Sequence, residues 1–557
     1  MELKFDSDAA DAKLASVRER EEEDVAQILS EKYGLEYADL SIKDIDSESL
    51  RAVPKEKAEE AEAVPFGRNA KHLSLAIHNP NNPVLPSVIK DLEAKGFLVK
   101  QFLVSKKSLD RVLGRYADLS SATESRAGVF AVTPGSEQAE GASAASLSTL
   151  KEELTKAAGG KSFDRISRIL EILFTGSLAL RASDIHLEAE EYATRLRLRL
   201  DGLLTDVFSF DAATYHLLNS RLKILAGMKL NVHDRAQDGR FSITQAGKQV
   251  EIRASFIPGN YGESVVLRIL NPEATKVSLH DLGMHPKLLA RLETEIRRSN
   301  GMLLTTGPTG SGKTTTLYSF LREVHTPEIK IITIEDPVEY HLEGIVQTQV
   351  TGDKYTFAEG LRSIVRQDPD IIMVGEIRDA ETADIAIQAA LTGHFVFSTI
   401  HTNDAAGTFP RLADLGADPK SFGSAITVAM AQRLVRRLDP EKKKERPVTE
   451  KEKAMIATVL DSVVDKSLIP EKIDTVWDPA PANEDETGYH GRVGLYEAIF
   501  MDDELANFLR DNPPSHEIAK HAAGQGYLTM AQDGIIKALE GVTSLAEVGE
   551  TVDLPYA

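Results

Sequence analysis

The spacing of hydrophobic positions along the chain changes several times, and each change marks an element. From about Leu14 to Tyr33 they recur at helical spacing in a charged stretch that stops at Gly34, which predicts an amphipathic helix closed by a glycine. Short apolar pieces follow, Leu73-Ser-Leu-Ala-Ile77 and Phe97-Leu-Val. Between them a helix is predicted from Pro86 to Lys95, ending at Gly96. Residues 1–117 therefore read as a small α/β unit. From 118 to 148 the pattern disappears. Ser120-Ser-Ala-Thr-Glu-Ser and Pro134-Gly-Ser-Glu-Gln-Ala-Glu-Gly-Ala-Ser-Ala-Ala-Ser are small, polar and poor in core formers, the composition of a flexible linker. Helical spacing returns in Arg165 to Leu180, where Ile166, Ile169, Leu170 and Leu173 share one face. Thr194-Arg-Leu-Arg-Leu-Arg-Leu-Asp-Gly then alternates strictly, so a strand there carries three arginines on one face and leucines on the other. Val250–Ser255 and Ser264–Leu270 read as further strands of a unit spanning 149–271.

Between 272 and 437 four apolar runs alternate with helical stretches: Met302–Thr305, Ile329–Ile334, Ile371–Val374 and Phe395–Thr399. This spacing predicts a largely parallel sheet with crossover helices, in which ligands sit at the carboxyl ends of the strands. Residues 438–557 read as mostly helical, polar segments, and no repeat of fixed period occurs. At 557 residues the chain is too long for one core, so three or four domains are expected. No run of 18 apolar residues is present, and the start Met-Glu-Leu-Lys-Phe-Asp-Ser-Asp lacks the basic and apolar regions of a secretory signal. A cytoplasmic protein is expected. The absence of cysteine removes disulfides, thiol catalysis and cysteine-ligated zinc, and no His/Asp/Glu cluster has zinc-ligand spacing. The formal charge of -21 opposes bulk attraction to nucleic acid, so nucleic acid is not an expected partner. Local basic patches survive, notably Arg433, Arg436, Arg437 and Lys442-Lys-Lys-Glu-Arg446.

The chemistry concentrates in Gly307-Pro308-Thr309-Gly310-Ser311-Gly312-Lys313-Thr314-Thr315, which fits G-x-x-x-x-G-K-[ST]. The flanks are an apolar strand before it and a helical run after it. Glycines let the backbone wrap phosphates with N–H groups inward, and the helix N-terminus adds positive charge at the same place. Lys313 would reach the β- and γ-phosphates and the Thr314 hydroxyl would ligate Mg²⁺. The three other apolar runs end in Glu335-Asp336-Pro-Val-Glu339, Gly375-Glu376-Ile-Arg378-Asp379 and His401-Thr-Asn-Asp404. Glu376 stands where a Walker-B strand places its acidic end, suited to polarising an attacking water. The preceding position, an Asp in many P-loop enzymes, is Gly375. Glu335 is a second carboxylate for the metal's water shell. His401 either senses the γ-phosphate or is a strand-end histidine bonded to backbone.

Four ordered segments carry a resemblance: Gly307–Leu317, Ile334-Glu-Asp-Pro-Val-Glu-Tyr340, Leu361–Asp379 and Leu391-Thr-Gly-His-Phe-Val-Phe-Ser-Thr-Ile-His-Thr-Asn403. They resemble the Walker A, Asp box, Walker B and His box of the secretion ATPases of type II secretion and type IV pilus assembly. Upstream, Ala182–Glu188, Arg197–Gly202, Arg235–Phe241 and Tyr261–Leu270 resemble that family's smaller domain, which packs on a neighbour's core and lends arginines. The resemblance implies an α/β protein with a RecA-like P-loop ATPase core, preceded by a small PAS-like α+β domain and an N-terminal α/β domain. It implies ATP and Mg²⁺ as cofactors and a homo-hexameric ring. The ring would sit at the inner face of the cytoplasmic membrane and drive an inner-membrane platform protein. The arginines available to a shared interface are Arg197, Arg199, Arg235, Arg240, Arg253 and Arg268 from the small domain, and Arg362, Arg366 and Arg378 from the core. A surface or salt-bridge role is open for each.

Three departures stand out. Many relatives hold a zinc with four cysteines after the His box; here the region has none, so no zinc is expected. The Arg-Leu-Gly motif that precedes a cyclic di-GMP-binding domain in some members is absent, so that ligand is not expected. The N-terminal domain itself favours assembly or secretion over retraction. A nucleotide-gated scaffold that hydrolyses little, and a DNA-transfer or competence ATPase, remain alternatives.

Overall fold

The computed structural model describes residues 22–40, 45, 47–50, 52–69, 71–114, 116, 122–126, 128–132, 146–160, 165–245, 248–270, 277–483 and 486–555. The first body is a four-stranded sheet in the order Glu36–Tyr37, Leu98–Leu103, His72–Ile77, Ala63–Asn69. Its predicted helix is present at Leu85–Ala94, and Gly96 takes the positive φ (87°) that ends it. Residues 22–33 are helical and Gly34 follows at φ 66°; the start of the predicted helix lies outside the described residues.

The second body is an eight-stranded sheet backed by the helices Leu147–Gly159, Arg165–Ala179 and Ala212–Leu225. The strictly alternating Thr194–Leu200 buries Thr194, Leu196 and Leu198, as a period of two requires. Two of its strands, Ala122–Arg126 and Val129–Val132, fall inside the stretch read as linker; 117–121 and 133–145 lie outside the described residues. Val129–Val132 pairs in parallel with Gln237–Gln245, and Phe130 packs edge-on against Phe174 at 5.3 Å. One buried aromatic in a tertiary niche outweighed a composition that promised no core.

The third body carries the predicted parallel sheet. Its strands, numbered here in chain order, are β1 (Gly301–Thr306), β2 (Ile331–Glu335), β3 (Val346–Gln349), β4 (Ile371–Val374), β5 (Phe395–Ile400), β6 (Ile426–Leu438) and β7 (Tyr489–Phe500), arranged β3-β2-β4-β5-β1-β6-β7. All neighbours are parallel except β6 and β7. β7 belongs to the region read as mostly helical. It enters the core sheet because β6 offers it an antiparallel edge about a dozen residues long, a partner that lies outside any local window. The central strands are buried on both faces: Met302, Leu304, Ile372, Val374 and Val396 pack on one side, Leu303, Met373 and Phe397 on the other. Three crossover helices matter for the site: α1 (Lys313–Val324), α2 (Phe357–Val365, opened by a Thr356/Glu359 capping box) and α3 (Ala380–Leu391, capped by Asp379).

Beyond β6, Lys443–Pro447 and Thr475–Pro479 form a two-stranded sheet. It is held by Arg446, which donates to Glu452 at 2.8 and 2.6 Å and to Asp478, and by Lys442 paired with Glu486 at 3.0 Å. The second and third bodies touch within the chain: Arg253 pairs with Glu339 at 3.0 Å, and Asp201 accepts from the Gly491 N–H at 3.1 Å.

Candidate active site

The loop from β1 to α1 contains three glycines with φ of 147° (Gly307), 81° (Gly310) and 89° (Gly312), values that other residues avoid. Two of them are also sterically required. A Cβ on Gly307 would lie 2.5 Å from the Gln432 carbonyl oxygen, and one on Gly312 would lie 2.7 Å from Gln432 Nε2. Gln432, on β6, thus props both ends of the loop, and its Oε1 accepts from Thr316 at 2.8 Å. Nothing lies within 4 Å of a Cβ on Gly310, so the crown of the loop faces open space.

Lys313 donates from Nζ to the carbonyls of Gly307 at 2.8 Å and Pro308 at 3.0 Å. Burial lowers its proton affinity; Glu376 opposes that and Arg433 adds to it. Thr314 is exposed beside it, Thr309 lies open and Thr315 is half-buried. The Ser311 hydroxyl is buried with no hydrogen-bond partner among the described residues.

Across the edge, Glu376 follows β4 with its side chain 13 % exposed, paired through Oε1 with Arg378 and through Oε2 with His401 Nε2 at 3.4 Å. Arg378 also lies 4.0 Å from Asp336. The backbone is crowded where many P-loop enzymes carry the Walker-B aspartate. A Cβ on Gly375 would sit 3.2 Å from the Ile334 carbonyl oxygen and 3.3 Å from the Glu335 Cα, so a side chain there would press on the β2 backbone by a few tenths of an ångström.

Glu335 is placed differently from the expectation of a carboxylate in the metal's water shell. It is 3 % exposed, and its two oxygens accept from the Tyr318 and Thr333 hydroxyls and from Gln347 Nε2 at 3.2 Å. Burial raises its proton affinity against these three donors. It fastens α1 to the end of β2 because Tyr318, two turns into α1, reaches it first. His401 is half-exposed and faces Glu376.

The arginine pool separates. Arg199 and Arg268 share Asp184 at 3.3 and 3.1 Å, Arg197 pairs with Glu188, and Arg253 binds Glu339 and the Val338 carbonyl of its own chain. Arg362 pairs with Glu381, and Arg366 donates to Ser363 at 3.4 Å. Arg235 and Arg240 are exposed and have no ion-pair partner among the described residues. Two contributors escaped the sequence reading. Gln432 carried no signal at all. Arg433 had shown only as part of a basic patch, yet its guanidinium lies 3.2 Å from a Cβ on Gly307.

A lysine at a helix start, an exposed threonine hydroxyl, an orphaned buried hydroxyl and an open glycine crown fit a nucleoside triphosphate with a divalent cation. Comparison with known proteins agrees. Residues 160–550 match the family described as "Type II/IV secretion system protein", and residues 33–123 match the "MshEN domain". The chain is 42 % identical over 385 residues to the type II secretion system protein E of Pseudomonas aeruginosa, covering 69 % of this chain and 74 % of that one. It is 34 % identical over 536 residues to the type IV pilus assembly ATPase PilB of Myxococcus xanthus, covering 95 % of this chain and 91 % of that one. Among solved structures, the ATPase DotB of Yersinia pseudotuberculosis superposes with a TM-score of 0.51 at 19 % identity, covering 69 % of this chain and 92 % of that one, a likeness of fold.

Proposed function

This chain belongs to the type II/IV secretion system protein family, with a RecA-like P-loop core, and on that premise we propose that it is a motor ATPase. Its ring hexamer would drive assembly of a type IV pilus, or of a type II secretion pseudopilus, by acting on a platform protein at the cytoplasmic face of the inner membrane. No helix among the described residues is long and apolar enough to cross a membrane, so such an association would be peripheral. The observation that carries the reading is that Lys313, following β1, and Glu376, following β4, stand at the same carboxyl edge of one parallel sheet.

The residues divide the work as follows. Loop N–H groups and Lys313 bind the β- and γ-phosphates, Lys313 exchanging two neutral carbonyls for anionic oxygens. Mg²⁺, held by Thr314 and the phosphates, would neutralise charge developing on the leaving group. Glu376 Oε2, only loosely engaged by His401, accepts a proton from the attacking water while Arg378 holds Oε1 and orients the carboxylate. His401 reads whether that carboxylate is engaged. Arg235 and Arg240, exposed and without an ion pair among the described residues, are the small-domain arginines we assign to a neighbouring subunit's γ-phosphate. Such an arginine acts only when the interface is closed, which couples hydrolysis to subunit arrangement.

The test is phosphate release by the wild type and by Glu376→Gln, each with its sedimentation profile in ATP. Loss of a positioned general base lowers the rate by about 10²–10⁴-fold. Equal rates would sink the enzyme reading and leave a nucleotide-gated scaffold.

A further inference from the structure

Resting on the assignment of the P-loop as an ATP site, we propose that Arg433 contacts the terminal phosphate of ATP bound to its own subunit, giving up the Asn403 carbonyl to do so.

The placement comes from β6. That strand pairs with β1 in parallel, Thr306 opposite Ala431, so residue 433 stands just past the carboxyl end of β1, where the loop begins. Its Nη1 donates to the Gln432 carbonyl at 3.3 Å and touches the space over Gly307. Its Nη2 donates to the Asn403 carbonyl at 3.0 Å. Arg433 forms no ion pair among the described residues. The nearby carboxylates attract it without contact, too weakly to offset its burial: Glu497 accepts from the N–H groups of Ala405 at 2.8 Å and Met530 at 3.1 Å, and Asp404 Oδ1 from the Gly407 N–H at 2.7 Å.

A half-buried guanidinium satisfied by two neutral carbonyls is under-compensated. Lys313 is in the same condition, holding two carbonyls of its own. The two cations lie close enough for one to depress the proton affinity of the other. An anion between them would relieve both at once, and the P-loop is built to bring one.

The side of the loop identifies which phosphate. Asn403 belongs to the turn that starts at His401, and His401 faces Glu376, the carboxylate assigned above to the attacking water. Arg433 therefore approaches from the hydrolytic end. That turn is otherwise tied to β1, since the Thr306 hydroxyl accepts from the Thr402 N–H at 2.8 Å. Moving Arg433 from Asn403 to phosphate would leave the turn held by Thr306, Glu497 and the His401–Glu376 contact, one tie fewer, so the His-box turn would register the presence of a third phosphate. Arg436, its neighbour in the basic patch, has no such freedom: it pairs with Glu547 and lies over the Tyr489 ring at 4.1 Å.

The experiment measures Mg²⁺-dependent affinities of the full chain for ATPγS and for ADP in the wild type, Arg433→Gln and Arg433→Lys, with a melting curve for each. ATPγS affinity should fall about 10-fold or more in the Gln variant while ADP affinity changes by no more than about 3-fold, and the Lys variant should lie between with the same bias. Equal losses for the two nucleotides, or no loss, overturn the proposal. If the Gln variant melts early, the Lys variant decides by the same criterion. Because binding is read directly, a wild type that binds with this bias but releases no phosphate would sink the motor reading and leave the Arg433 contact standing.

Discussion

Replacing Tyr318 with Phe removes one oxygen from a 1 % exposed side chain and leaves its ring packing intact. What changes is Glu335, a 3 % exposed carboxylate that keeps Thr333 and Gln347 but loses its third donor. A hydrogen bond to a buried charged group contributes about 1.5–3 kcal/mol. For a core of this size that corresponds to a drop of roughly 3–10 °C in melting temperature. The pH dependence carries the diagnosis. Burial raises the proton affinity of Glu335 above the ordinary 4.5, so its contribution to stability is fully present below 4.5 and is lost as pH rises through the higher folded value. Removing Tyr318 raises that folded value further. The gap between wild type and variant should therefore be widest near pH 8 and narrow on acidification. Melting curves by dye fluorescence at pH 8 and pH 4.5 read both. Equal melting at pH 8, or a gap that stays constant with pH, would refute the account of Glu335 as a buried, donor-stabilised carboxylate.

In the small domain, Lys223 (1 % exposed) and Glu263 (4 % exposed) form a buried pair at 2.7 Å, with Asn219 and His233 on the same oxygen. Lys223→Met should destabilise that domain by about 3–5 kcal/mol, and Lys223→Met with Glu263→Gln should recover more than half of it, read by hydrogen exchange in the strands around Glu263. Arg446 holds the Glu452 carboxyl down to about 2. With its folded value below the ordinary 4.5, this group contributes stability above 4.5 that fades as pH falls toward 2, in total roughly 3 kcal/mol. Fluorescence of Trp477, the chain's single tryptophan and a member of the strand facing Arg446, should report acid loosening of the two-stranded sheet in the wild type. Arg446→Met should abolish that acid step.

The local signals were the reliable ones. Gly307, Gly310, Gly312 and Lys313 announce a phosphate loop because the backbone angles and the charge it needs restrict each position to very few residue types. The four apolar runs of the core became β1, β2, β4 and β5, because strands buried on both faces must be apolar whatever they touch. Positions whose meaning depends on a distant partner were not legible. β7 looks like one more segment of a polar tail until β6 supplies its edge. Glu335 and Glu376 both end core strands, yet Tyr318 claims one and leaves the other at the site.

The sequence by itself announced a phosphate loop on a parallel sheet and the two strand-end carboxylates, Glu335 and Glu376, from which a partner for the water would come. Both follow from backbone conformation and burial, which act within a few residues. Only the tertiary structure decided that β2 crowds the side-chain space of Gly375, that Gln432 props the loop from a strand more than a hundred residues on, and that Arg433 stands beside Gly307 without an ion pair among the described residues while Arg436 pairs with Glu547. Those are matters of excluded volume and of which charge finds a partner, and neither exists until the strands are side by side.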